Sequence, residues 1–229
     1  QQKVNKNLVE KVKQDYGLDE ILSHLIITRN YDSSEIFCIN NSQKLTNIFK
    51  DDNDYQKASL ILLNIIKKNE NICILGDYDV DGSCATSLLV RYFNHINQQH
   101  FFYIPDRVKD GYGASKKLFQ KLILKKPKLI IMVDCGSTSY EAIDYLNQQN
   151  IKSIIIDHHE INKPYPKSDV IINPKKELAK KENSILCATA LTYFFIDIVI
   201  KKSRSNFKLS NFLIYVLLAT ICDVMPLRK

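Results

Sequence analysis

The 229-residue sequence predicts an α/β fold, a parallel β-sheet flanked by helices and preceded by a small helical lead-in. Two observations carry this. From Asn71 onward, short apolar runs recur at 72–75 (ICIL), 101–104 (FFYI), 129–133 (LIIMV), 151–156 (IKSIII) and 169–172 (DVII), separated by helical stretches at roughly 83–98, 115–126 and 138–149. The runs are apolar almost without interruption, as in strands buried on both faces, whereas a strand with one wet face alternates.

Residues 1–70 are polar with short helical patterns. Within them, Tyr55 to Lys68 places Leu60, Ile61, Leu63 and Ile65 at helical spacing. This segment is read as the lead-in, and 71–229 as the sheet domain. Two apolar helices, about 185–201 and 210–224, close the chain. The first is interrupted by Asp197 and falls short of the roughly 20 apolar residues that span a bilayer, so it is read as buried in protein and no membrane partner is expected.

With 45% hydrophobic and 25% charged residues, composition excludes disordered, collagen-like and disulfide-scaffold classes. The 32 Lys+Arg against 25 Asp+Glu give a net charge of +7, compatible with a polyanionic partner such as nucleic acid. Only five of the basic residues are Arg, and a Lys-, Asn- and Ile-rich chain reflects an AT-rich genome as readily as a binding surface. The six cysteines are spread without a CxxC pair and read as reduced residues of a cytoplasmic protein. Gln1-Gln2-Lys3 opens no signal peptide and lacks an initiating Met, so the sequence is read as a piece of a longer protein.

In open parallel sheets, ligands bind outside the carboxyl ends of the strands. Three of those ends are acidic: Gly76-Asp77-Tyr78-Asp79-Val80-Asp81-Gly82 after the first run, Asp134-Cys135-Gly136 after the third, and Asp157-His158-His159 after the fourth. Asp77, Asp79 and Asp81 crowd three carboxylates into five residues, where each resists the ionisation of the others until a cation neutralises them. An EF-hand reading fails, because the Glu that a calcium loop needs six residues past its Gly is Leu88 here.

Thr138 and Glu141 have the spacing of a capping box and predict a helix starting just past Gly136, with Asp134 one turn earlier at the strand tip. Adjacent His158 and His159 after an aspartate suggest one imidazole on a metal and its neighbour toward substrate. Asp223 shares a helical face with Phe212, Val216 and Thr220 and points to the core side, where a carboxylate needs a partner. Carboxylates with imidazole and no thiolate set favour Mn²⁺ or Mg²⁺, and their number suggests two ions that activate a water for in-line phosphoester hydrolysis.

The set GDYDVDG (76–82), VDCG (133–136), DHH (157–159) and CDVMPL (222–227) resembles the DHH phosphoesterase superfamily. IPDR (104–107), GYG (111–113) and INP (172–174) resemble its RecJ branch of single-strand-specific exonucleases. The resemblance implies metal positions at Asp77, Asp79, Asp81, Asp134, His158 and Asp223. One ion would be held by Asp81, Asp134, His158 and Asp223, the other by Asp77 and Asp79, with Asp134 as the bridge. It further implies His159 at the scissile phosphate, Asp157 orienting the histidine pair, and Arg107, Gly111 and Tyr112 contacting substrate. An ion pair with Asp106 or Asp110 is the alternative for Arg107.

Two features depart from the branch. RecJ-like proteins continue into a DHH-associated domain and often an oligonucleotide-binding fold, whereas this sequence stops six residues after Asp223. Leu186 to Ala190 (LCATA) stands where the family carries glycines, which predicts a narrowed backbone approach.

The function so implied is metal-dependent 5′ to 3′ exonuclease action on single-stranded DNA in repair or recombination, with a single-strand-binding protein as a candidate partner. Two other classes compete. One is hydrolysis of short oligoribonucleotides or cyclic dinucleotides at the same site, which the IPDR and GYG segments disfavour. The other is a non-catalytic DHH scaffold, whose signature would be lost ligands; here every motif acid and His158 are present.

Overall fold

The computed structural model describes residues 5–41, 45–106, 108–110, 114–176 and 184–227. The chain divides into two compact units, Gln1–Thr46 and Asn47–Lys229. The first holds three short helices, α1 (Lys6–Tyr16), α2 (Glu20–Thr28) and α3 (Ser33–Asn40). Each has a side-chain N-cap: Asn5, Asp19 and Asp32, the last in a reciprocal capping box with Glu35.

The compact unit that carries the sheet begins at Asn47 and takes in residues ahead of the first strand. Its first helix, α4 (Asn53–Lys67), buries Tyr55, Ala58, Leu62 and Ile65 in the core that also holds Ile172 and Leu191. Helical spacing reveals that a helix has an apolar face but not what the face packs against, which is why the sequence joined α4 to the lead-in.

The elements that follow are β1 (Ile72–Leu75), α5 (Val80–His95), β2 (His100–Tyr103), α6 (Lys116–Leu122), β3 (Leu129–Val133), α7 (Tyr140–Gln148), β4 (Lys152–Ile156), β5 (Val170–Ile172), α8 (Ala188–Ser203) and α9 (Leu213–Cys222). The five strands form one sheet in the order β2-β1-β3-β4-β5, all parallel. Because side chains alternate across a strand, Ile72, Ile74, Ile131 and Ile154 face α4, α5 and α8, whereas Cys73, Leu75, Ile130 and Ile155 face α6 and α7.

Helix boundaries show where side-chain caps decide. α5 starts three residues earlier than its apolar spacing suggests, since the Asp79 carboxylate accepts the Gly82 N–H at 2.9 Å. α7 starts at Tyr140 rather than just past Gly136, and the expected Thr138/Glu141 box is absent. A turn closed by the Ser139 N–H on the Gly136 carbonyl at 3.1 Å takes up those residues, and Glu141 instead lies 3.4 Å from the Lys116 ammonium.

α8 is buried over most of its length, as its all-round apolarity predicts. α9 differs: only Ala219 is buried, and Ile214, Leu217 and Ile221 are 51%, 52% and 56% exposed. No helix among the described residues is long and apolar enough to cross a membrane.

Candidate metal centre

The chain leaves β1 for β2 on one side of the sheet, whereas β3, β4 and β5 extend it on the other. The carboxyl ends of the neighbouring strands β1 and β3 therefore flank the topological switch point, where connections diverge and leave a crevice. Asp77 lies two residues past β1, Asp134 directly past β3, and Asp157 directly past β4. The N-terminus of α5 contributes Asp79 and Asp81, and the residue that ends α9 contributes Asp223.

Among the described residues, ligand atoms converge there in three groups whose members lie within 4.8 Å of one another: Asp77/Asp79/Asp134, Asp134/His158/His159 and Asp81/His158/Asp223. Asp134 belongs to two of them. The His158 Nε2 is 3.2 Å from Asp134 Oδ1, 3.4 Å from Asp223 Oδ2 and 3.7 Å from Asp81 Oδ2.

Asp134 is 1% exposed, and its backbone is left-handed at φ +59°, a conformation that Asp and Asn tolerate better than most residues. Two imidazole nitrogens lie within 4 Å of its Oδ1, His158 Nε2 at 3.2 Å and His159 Nδ1 at 3.8 Å. Among the described residues, both Asp134 oxygens, Asp77 Oδ1 and His158 Nδ1 are buried without a hydrogen-bond partner. Burial, reinforced by Asp81 and Asp79, pushes the Asp134 carboxyl up to about 10. Burial also raises Asp77 and Asp223 above the usual carboxylate range. Orphaned acceptors and raised carboxyls together describe a site short of positive charge, which a hard divalent cation would supply.

Asp157 is the opposite case. Burial alone would raise it, but hydrogen bonds from His159 and Ser137 hold it down at about 2. Oδ2 accepts the Ser137 N–H at 3.0 Å, and Oδ1 accepts the His158 N–H at 2.8 Å and the His159 N–H at 3.2 Å. The same Oδ1 lies 2.8 Å from His159 Nδ1. This ionised carboxylate stitches the loop after β3 to the loop after β4 and fixes the His159 ring with Nε2 as the nitrogen left for other contacts. The bond to Asp157 also raises the His159 imidazole above its ordinary value.

Further residues support the loops without having drawn attention by composition. Asn173 of the INP segment donates to Ser137 Oγ and to the His159 carbonyl, each at 2.9 Å. Asp110 accepts from the Tyr103 hydroxyl at 2.6 Å and pairs with Lys121 at 3.1 Å, and Asp106 caps the turn at Val108. The expected substrate contacts Arg107, Gly111 and Tyr112 lie outside the described residues. Beside His159 opens a cleft of about 580 Å³ whose lining includes Ser115, Lys116, Ser137, Thr138 and Tyr140.

Gly82 permits the β1–α5 loop to close. A Cβ there would sit 2.6 Å from both the Asp77 backbone N and its carbonyl O. Gly82→Ala is therefore expected to displace Asp77, lower thermal stability by about 2 kcal/mol and weaken Mn²⁺ binding at least about tenfold. Calorimetric titration of the variant checks this, and unchanged affinity would contradict the close packing.

Residues 71–221 match the DHH family, N-terminal domain. The chain belongs to the DHH family. Among curated relatives of this DHH chain, the single-stranded-DNA-specific exonuclease RecJ of Bacillus subtilis is 28% identical over 183 residues, covering 76% of the chain and 22% of the relative. Its counterpart in Escherichia coli is 30% identical over 183 residues, covering 75% and 32%. The DHH chain thus spans between about a fifth and a third of the length of these relatives. The fold is that of RecJ from Thermus thermophilus in complex with Mn²⁺, at a TM-score of 0.73 and 19% identity, covering 98% of this chain and 31% of that one.

Proposed function

We propose that this chain is the phosphodiesterase core of an exonuclease that degrades single-stranded DNA from the 5′ end in repair or recombination, with two Mn²⁺ or Mg²⁺ ions. The observation that carries the reading is the buried Asp134 carboxylate at the switch point, without a hydrogen bond among the described residues and shared between two ligand groups. Relatives that are single-stranded-DNA-specific exonucleases supply the substrate class.

Asp77, Asp79 and Asp134 would hold one ion, and Asp134, His158 and Asp223 the other. Bound there, the ions supply Lewis acidity and an activated water for in-line displacement at phosphorus. The protein's own share is orientation and proton handling. Asp157 stays ionised and keeps His159 aligned; the partly exposed His159 ring, biased toward its protonated form, presents Nε2 as a donor to a phosphoryl or leaving oxygen. Ser115, Lys116 and Tyr140 line the adjoining cleft with donors suited to a sugar-phosphate chain, and Arg107, Gly111 and Tyr112 are proposed to contact it. All six cysteines are free, which fits a reducing cytoplasm. A single-strand-binding protein is proposed as a partner on the resemblance alone.

The test is digestion of a 5′-phosphorylated single-stranded oligonucleotide with Mn²⁺, resolved on a denaturing gel beside Asp134→Ala. Stepwise mononucleotide release that vanishes in the variant is expected. Turnover persisting in Asp134→Ala would contradict the two-ion assignment, and release confined to oligonucleotides of a few residues would replace the substrate.

A further inference from the structure

We infer that Asp81 is a positioning residue that clips the N-terminus of α8 to α5, and not a metal ligand; the inference rests on the two-ion reading of the same site. Both of its oxygens are already engaged. Oδ2 accepts the Ala188 N–H at 2.6 Å, Oδ1 accepts the Thr189 N–H at 2.7 Å, and the Thr189 hydroxyl returns a bond to the Asp81 carbonyl at 2.8 Å. Asp81 is 1% exposed, so water offers those groups no substitute.

The first turn of a helix has N–H groups with no partner inside the helix, and its dipole favours a negative charge there. Among the described residues α8 has no side-chain cap from its own N-cap position, Cys187. Asp81 supplies the missing cap from another helix through two short, charge-assisted bonds. Each oxygen retains a second lone pair, but rotating the carboxylate to aim it at an ion would leave buried N–H groups unpaired. Asp134 faces no such conflict, because both its oxygens are without hydrogen bonds. Distances agree: His158 Nε2 is closer to Asp134 and Asp223 than to Asp81.

The clip has a consequence for the ligands. α8 meets α9 through Ala190 and Ala219, and Cys187 Sγ lies 3.7 Å from Thr220 Oγ1, three residues before Asp223. Fixing the start of α8 against α5 therefore sets where Asp223 stands relative to His158. The glycine-poor LCATA segment does not obstruct this, because the backbone approach survives with Ala188 and Thr189 in place.

Two measurements test it. On saturating the wild-type protein with Mg²⁺, the Ala188 and Thr189 amides are expected to keep their slow hydrogen exchange by NMR; loss of that protection on binding would overturn the clip. In the metal-free state, Asp81→Asn is expected to lower Tm by about 3–6 °C whereas Asp134→Asn does not, because only the first removes a helix cap. Mn²⁺ affinity in Asp81→Asn is expected to fall less than in Asp134→Asn. Equal losses of affinity with no fall in metal-free Tm would make Asp81 a ligand. Should Asp81→Asn not fold, the wild-type exchange experiment decides. Absence of ion binding to the wild type would remove the two-ion reading alone, and the metal-free Tm comparison would still decide the clip.

Discussion

Asp134→Asn is expected to abolish phosphodiester hydrolysis, by about 10³-fold or more, while raising the melting temperature of the metal-free protein. The Asp134 carboxyl is held at about 10 in the folded state, chiefly by burial, against an ordinary carboxyl value of 3.8. It binds its proton more tightly folded than unfolded. Its contribution to stability is complete below about pH 4 and is lost progressively as pH rises toward 10. Asparagine carries no charge, tolerates the left-handed backbone at φ +59°, and places an amide donor among carboxylates. The stability gap between variant and wild type is therefore expected to widen from pH 5 to pH 9, which thermal melts in chelator measure. A variant that melts lower than wild type at pH 9 would contradict the charge-crowding account. Stability sacrificed for a functional charge is a recurring pattern at active sites.

Asp157→Ala acts in the other direction. It removes the acceptor of four contacts between 2.8 and 3.2 Å and is expected to cost about 3–5 kcal/mol, read by chemical denaturation. With the carboxyl held at about 2 in the folded state, its ionised form stabilises the fold above about pH 4, and that contribution is lost as pH falls through 2. The acid limb of the wild-type stability profile should therefore be steeper than that of the variant. Turnover is expected to fall about 100-fold or more as the His159 ring loses its orienting partner, with a smaller change in Mn²⁺ affinity. An unchanged acid limb would contradict the role given to Asp157.

These two aspartates mark how far the sequence could be read. Apolar runs located β1 and β3 to the residue, because strands buried on both faces carry no polar interruptions, and the acidic residues after them fall at the switch point that the strand order creates. The convergence of Asp77, Asp79, Asp81, Asp134, His158, His159 and Asp223 was legible since carboxylates and imidazoles cluster in short motifs. What escaped depends on contacts far apart in sequence. Asp81 looks like a third carboxylate of one acidic loop, and only the fold reveals its two bonds to α8, 107 and 108 residues away. Asn173 sits within a noticed segment, yet its bonds to Ser137 and the His159 carbonyl span two loops. Local capping signals were ambiguous in the same way: Thr138 and Glu141 have the spacing of a box, but the turn at Gly136 to Ser139 displaces the helix start. For α9, the sequence assigned a core side to Phe212, Val216, Thr220 and Asp223 but did not reveal that Ile214, Leu217 and Ile221 stay about half exposed.

The most direct test of the central claim is titration of the metal-free 229-residue chain with Mn²⁺ by calorimetry, repeated in buffers of different ionisation enthalpy. A two-ion centre predicts two bound ions and release of at least about one proton near pH 7, since the raised Asp134 carboxyl would have to ionise to hold them. Binding of a single ion, or binding without proton release, would contradict it.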